Sequence, residues 1–219
     1  VAGDTIIGPA MGGGFWHNPN VKGIPFDTAE AARVLDAAGY APGADGVRAK
    51  GDLRLEFRLQ FPTTLSAYSR IADMMVGWFK EAGIKVNPET MSEDGLVAAT
   101  TPAGDYDLVL WSWEPDPDPD FILSVLTTDQ FVDGGWSDSG YHNPEYDRLY
   151  LEQQQLVDPG ARQQAVWRMQ ELAFNDRPYI VLDYEDKLQA YRSDRFTGFI
   201  ESTLGIESMQ SLLSVEPVK

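Results

Sequence analysis

YDLVLWSWEPDPDPDFILSVL, residues 106–126, decides how this chain is read. Leu108, Val109, Leu110 and Trp111 form a short apolar run with the length and composition of a buried strand. The run breaks at Glu114-Pro115-Asp116-Pro117-Asp118-Pro119-Asp120, because alternating prolines lack the N–H and the free φ that a helix or central strand needs. Phe121, Ile122, Val125 and Leu126 then return at helical spacing, with Asp118 or Asp120 placed to cap the first turn. Two tryptophans and four acids are thereby expected between the carboxyl end of a strand and the start of a helix, where open α/β folds bind ligands.

The length of 219 residues suits one domain or little more, and 43% hydrophobic content supports a core. Acidic residues outnumber basic ones 34 to 17, for a formal charge of −17 and a pI near 4.3. A phosphate backbone calls for a basic face, so nucleic acid is not an expected partner. Cysteine is absent, which removes disulfides, thiolate metal sites and thiol nucleophiles. No apolar run reaches the ~18 residues of a membrane-spanning helix, and no basic–apolar leader opens the chain. A start at Val1 rather than methionine is expected of a processed chain or a piece of a longer one.

Residues 1–26 carry Gly8-Pro9, Gly12-Gly13-Gly14 and Asn18-Pro19-Asn20 and read as a linker or hinge, with Phe15 and Trp16 among the breakers. Asp27 and Glu30 form a capping-box variant ahead of the stripe Ala31, Val34, Leu35 and Ala38, and Gly39 ends that helix. Pro42 to Gly51 reads as a turn. Leu53, Leu55, Phe57, Leu59 and Phe61 alternate with Arg54, Glu56, Arg58 and Gln60, a strand with one apolar and one polar face. Leu65, Tyr68, Ile71, Ala72, Met75, Phe79 and Ala82 follow at helical spacing, Gly83 stops the helix, and Ile84 to Val86 opens a second strand. A strand, helix and strand joined this closely make a βαβ unit with parallel strands. Ser92 is expected to cap a short helix within 91–99, and Asn143-Pro144 and Asp158-Pro159 to open two longer ones. Tyr179 to Leu182 reads as a strand with Lys187 to Arg192 as its hairpin partner, while the tail from Phe199 carries few structure signals.

Catalysis is poorly served. His17 and His142 are the only histidines, each in a loop, and no nucleophile elbow, phosphate loop or zinc-protease motif is present. Glu114 and Asp116 offer a glycosidase-like carboxylate pair, although paired acids come cheaply in so acidic a chain. Asp116, Asp118 and Asp120 alternate as in a calcium loop, but Phe121 stands where that loop needs Gly and Thr127 where it needs an acid. No metal or cofactor is expected. What the stretch supplies is a recognition surface: Trp111, Trp113 and Trp136 offer broad rigid faces, and the acids offer an anchor for a cation. The competing reading is that the tryptophans fill a core and the aspartates cap a helix. Trp111 and Trp113 share strand parity and are expected to face the same way.

In order along the chain, AARVLDAAGYAPGADGVR (31–48), the alternating strand from Leu53, YDLVLWSW with its DPD turn, YHNPEYDRL (141–149), and the helix from Arg162 through Gln170-Glu171 to Arg177-Pro178-Tyr179-Ile180 resemble the extracellular solute-binding proteins of family 5. These are receptor subunits of ABC-type importers for peptides and nickel. The resemblance spans roughly residues 25–198 and implies an α/β lobe of the periplasmic-binding-protein type, a mixed sheet flanked by helices, without enzymatic activity. It implies that 27–198 are a carboxyl-terminal ligand-binding lobe and that 199–219 return towards a first lobe outside this sequence. It further implies capture of an extracellular peptide for a membrane permease, in an extracellular or periplasmic setting, with anchoring as a lipoprotein. In peptide-binding relatives an aspartate shortly after the strand's tryptophan holds the peptide's α-ammonium. Asp116, three residues after Trp113, matches that position, and Asp118 is the fallback because prolines at 115, 117 and 119 stiffen the turn. Trp111, Trp113 and Trp136 complete the implied ligand-binding set. Two other readings stand beside this one: the same receptor role for a nickel chelate, an opine or an oligosaccharide, and an acidic glycoside hydrolase using Glu114 and Asp116.

Overall fold

The βαβ unit read from the alternating strand is the framework of one half of the chain. The computed structural model describes residues 3–64, 66–114, 116–186, 188–200, 202 and 204–218. Their contacts form two units, 25–112 and 1–24 together with 113–219, where the sequence suggested boundaries after 26 and 198.

In the 25–112 unit, α1 (Thr28–Ala37) starts where expected, with the Asp27 carboxylate accepting the Glu30 N–H at 2.9 Å. The stretch from Pro42 to Gly51 is more than the expected turn. β1 (Ala41–Pro42), β2 (Arg48–Lys50) and β3 (Leu53–Arg54) form a small antiparallel sheet. Arg48 holds it in place: its buried guanidinium donates to the carbonyls of Tyr40 (2.8 Å) and Ala82 (3.0 Å) and pairs with Asp36. One long-range cation leaves no periodic signal, so pattern reading does not find this sheet.

The alternation from Leu53 also divides, since Leu53 and Arg54 join the small sheet and β4 (Glu56–Pro62) belongs to another. Buried Leu55 marks the change of partner. α2 (Ser66–Glu81) leads from β4 to β5 (Lys85–Met91), and the two strands are parallel from Glu56↔Lys85 to Pro62↔Met91. Gly83 turns the chain out of α2 at φ +81, and a Cβ there would press on the Arg48 side chain at 2.8 Å. α3 (Glu93–Thr100), capped by Ser92, precedes β6 (Leu108–Val109), which completes a parallel sheet of order β5-β4-β6. Leu59, Phe61, Val86 and Leu110 pack on Tyr68 and Ala72 of α2, each side chain stabilising by roughly 1.5–3 kcal/mol on burial. The opposite face is held by ion pairs, with Arg58 on Asp105 and Asp107 and Glu56 on Lys85.

The second unit is built on α4 (Asp120–Ser124), α5 (Pro144–Gln153) and α6 (Pro159–Asp176). Asn143 and Asp158 cap the latter two, with Pro144 and Pro159 just inside, as read from the sequence. Ile122, Leu123, Val125 and Leu126 pack against Tyr146, Leu149, Val166 and Met169. Tyr146 is fully buried and donates its hydroxyl to the Leu123 carbonyl at 2.9 Å. The amino-terminal stretch, irregular as expected, contributes Ile7 and Met11 to the same core. Tyr179–Leu182 does not form the expected strand. The Leu182 carbonyl accepts the Gly3 N–H at 3.1 Å, and the Tyr184 hydroxyl bonds Asp4 and Thr5, so this segment packs on the amino-terminal one. Its expected hairpin partner is not a strand at 188–192, and Lys187 lies outside the described residues. β7 (Phe196–Thr197), α7 (Met209–Leu212) and β8 (Glu216–Pro217) close the chain, with β7 and β8 antiparallel. The α/β class is as expected, and among the described residues the strands fall into one parallel and two antiparallel sheets rather than a single mixed one.

Candidate functional site

β6 ends at Val109, so strand parity does not reach Trp111 or Trp113. Half-buried Trp111 belongs to the 25–112 unit, and Trp113 opens the other. From Trp113 onward the site is built within a single unit.

The acidic turn sorts its own carboxylates. Asp118 accepts from the two terminal guanidinium nitrogens of Arg162, each at 2.7 Å, and from the Asp120 N–H at 2.9 Å, which starts α4. Pro119, which occupies the cap position, has no side-chain acceptor for that role. Asp120 is spoken for as well: Gln153 donates to it at 2.6 Å, Gln154 at 3.1 Å and the Tyr150 hydroxyl at 3.3 Å. Glu114 and Asp116 are exposed and have no hydrogen bond or ion pair among the described residues, while Pro115 between them lies outside that set.

Arg162 anchors this turn from three sides. Besides Asp118 it donates to Gln153 Oε1 at 2.8 Å and lies 4.8 Å over the Trp16 ring. Trp16 reaches that place because Gly12, at φ +58, leaves room: a Cβ on Gly12 would meet the indole at 2.5 Å and the Pro117 carbonyl at 3.0 Å. The glycines that read as linker punctuation therefore let an aromatic ring sit beneath the turn. The Arg162 guanidinium holds the Asp118 carboxyl below its ordinary value, only partly opposed by burial. A carboxyl with a depressed native pKa stabilises above its unfolded pKa and loses that contribution as pH falls through the native one. The melting-temperature gap between the wild type and Asp118→Asn is accordingly expected to be widest near neutral pH and to close below the ordinary carboxylate range of about 4. A gap independent of pH in thermal scans would contradict this.

Beside the turn stands an aromatic corner. Trp113 meets Phe121 edge-on at 5.7 Å and Trp136 at 6.5 Å, and Phe121 meets Trp136 at 5.6 Å. Trp136 remains 52% exposed. The indole N–H of Trp113 donates to the Tyr179 hydroxyl at 3.3 Å, and that hydroxyl donates to Asp138. Burial pushes the Asp138 carboxyl up, and the Tyr179 bond opposes the shift. Sequence reasoning thus offers Trp113 and Trp136 as recognition faces, without their contact, and misses Phe121, Tyr179, Asp138 and Arg162 as parts of the site. Arg162 was visible only as a helix residue, and the others come from separate segments with no shared spacing. No group of His, Asp and Glu placed to hold a metal ion occurs among the described residues. An exposed pair of carboxylates next to open aromatic faces can bind a cation and an apolar group together.

A profile of the bacterial extracellular solute-binding proteins, family 5, middle region, matches residues 2–133. The chain belongs to this family. Protein XP55 of Streptomyces lividans is 29% identical over 198 residues, which is 90% of this chain and 35% of that protein, so the chain spans well under half of its curated relative. Three solved structures share the fold. The periplasmic oligopeptide-binding protein of a Thermotoga maritima ABC transporter, bound to mannohexaose, has a TM-score of 0.77 at 17% identity, over 99% of this chain and 44% of its own. The oligopeptide-binding protein AppA of Bacillus subtilis, in complex with a nonapeptide, has 0.70 at 21%, over 83% and 36%. NikZ of Campylobacter jejuni, in complex with Ni(L-His), has 0.63 at 21%, over 71% and 31%. Membership in family 5 and this fold place the acidic turn within a solute-binding protein.

Proposed function

We propose that this family 5 chain is the ligand-binding part of an ABC-importer receptor that captures extracellular peptides, and that Asp116 holds the peptide's α-ammonium. The observation that supports this is the division of labour in the turn: Asp118 and Asp120 are bonded to Arg162, Gln153, Gln154 and Tyr150, whereas Asp116, three residues after Trp113 in sequence, stands exposed. An enclosed ammonium calls for a carboxylate partner, and such charge-assisted bonds are among the strong ones. In this reading Asp118 shapes the turn, and Trp113 and Trp136 line the space beyond it. The nonapeptide bound to AppA favours a peptide. A glycosidase would need a general acid kept protonated by apolar surroundings, and the exposure of both Glu114 and Asp116 argues against that role. The receptor would work outside the cytoplasm, anchored as a lipoprotein, with a first lobe closing over the ligand and a permease receiving it. The test is calorimetric titration of the full-length protein with a short peptide, Ni(L-His) and mannohexaose. Micromolar or tighter binding of the peptide alone is the expected result, and binding of either other ligand without the peptide would overturn the assignment.

A further inference from the structure

We infer that Tyr179 and Asp138 are positioning residues that fix Trp113 as an aromatic seat for an apolar side chain of the ligand, an inference that rests on the peptide reading above. Three segments meet here: Trp113 comes from the acidic turn, Asp138 from the loop before α5 and Tyr179 from the stretch after α6. The bonds can run in only one direction. Indole nitrogen is a donor only and a carboxylate is an acceptor only, so Trp113 donates to Tyr179 and Tyr179 spends its one proton on Asp138. Each bond polarises the next, and together they hold the indole in one orientation. The burial that pushes the Asp138 carboxyl up also keeps competing water away from it.

The arrangement has two consequences for recognition. Because the Trp113 N–H is taken, this ring presents carbon edge and face to a ligand and selects for apolar or aromatic groups. The same loop carries Trp136 two residues before Asp138, so the Asp138 bond also sets the second wall of the corner, whose third wall is Phe121. The seat lies next to the turn that carries Asp116, which places the selected side chain close to the peptide's amino end.

The test uses the full-length protein labelled with [15N]tryptophan, the Trp113 indole signal being assigned through Trp113→Phe. In Tyr179→Phe the Trp113 indole resonance is expected to move, and Asp138→Asn is expected to move it in the same direction by less. Affinity for a peptide with phenylalanine near its amino end should fall about tenfold in Tyr179→Phe, while an all-glycine peptide of equal length is nearly unaffected, as the loss of a hydrogen-bonded scaffold would give. A resonance unchanged in both variants would overturn the inference, and so would equal losses for the two peptides, which mark a general packing role. Asp138→Asn keeps the test decisive if Tyr179→Phe fails to fold. If the wild type binds neither peptide, the peptide reading alone falls, and the resonance still decides the positioning role.

Discussion

Replacing Gln170 by leucine is expected to destabilise the protein by on the order of 2–6 kcal/mol, because each buried backbone group left without a partner costs roughly 1–3 kcal/mol. Gln170 is fully buried in α6 and uses its whole amide. Its oxygen accepts the Asn18 N–H at 3.0 Å and the Thr5 hydroxyl at 2.8 Å, and its nitrogen donates to the Trp16 carbonyl at 2.8 Å and the Val166 carbonyl at 3.2 Å. The Thr5 hydroxyl has the Ile7 carbonyl in reserve, so the Asn18 N–H and the Trp16 carbonyl bear the loss. Leucine fills a similar volume, which separates the hydrogen-bond effect from a cavity. Denaturant unfolding should show a lowered midpoint with an unchanged slope, and limited proteolysis should open the segment before residue 24. A change under about 0.5 kcal/mol, the ordinary range of a surface substitution, would mean that the amino-terminal segment is held by Ile7 and Met11 instead.

Asp116→Asn is expected to act on binding and leave stability nearly unchanged. Losing a charge-assisted bond to an enclosed ammonium should weaken peptide binding by on the order of 2–5 kcal/mol. Asp116 is exposed and has no partner among the described residues, so the melting temperature should not follow. Asp118→Asn should show the reverse pattern, since its carboxylate is bonded to Arg162 and to the Asp120 N–H. If calorimetry and thermal scans exchange these two patterns, the register of the turn is shifted by two residues and Asp118 is the ligand anchor.

The parts of the fold that could be read in advance are those set by neighbouring residues. Asp27, Ser92, Asn143 and Asp158 cap their helices as expected, because a cap is chemistry between residues two or three apart. The β4–α2–β5 unit was legible because its apolar periods change from two to three and a half at Pro62. What escaped depends on single contacts across the chain. Arg48 makes a sheet of an apparent turn, and Gln170 makes a packed element of an apparent linker. The Tyr179–Leu182 run has strand composition, yet its backbone is engaged by Gly3. At the site, the acidic turn was legible from composition and position, whereas the contact between Trp113 and Trp136 was not, because they come from separate segments. The choice among four acids was not, because it is made by Arg162 and Gln153, more than 30 residues away in sequence.

Isothermal titration of the full-length wild-type protein, with one peptide carrying a free amino terminus and the same peptide acetylated, tests the central claim most directly. Acetylation removes the ammonium and leaves every side chain in place. If the acidic turn holds that ammonium, the acetylated peptide should bind more weakly by on the order of 2–5 kcal/mol, and Asp116→Asn should bind both forms alike. Equal affinity of the wild type for the two peptides would contradict the account.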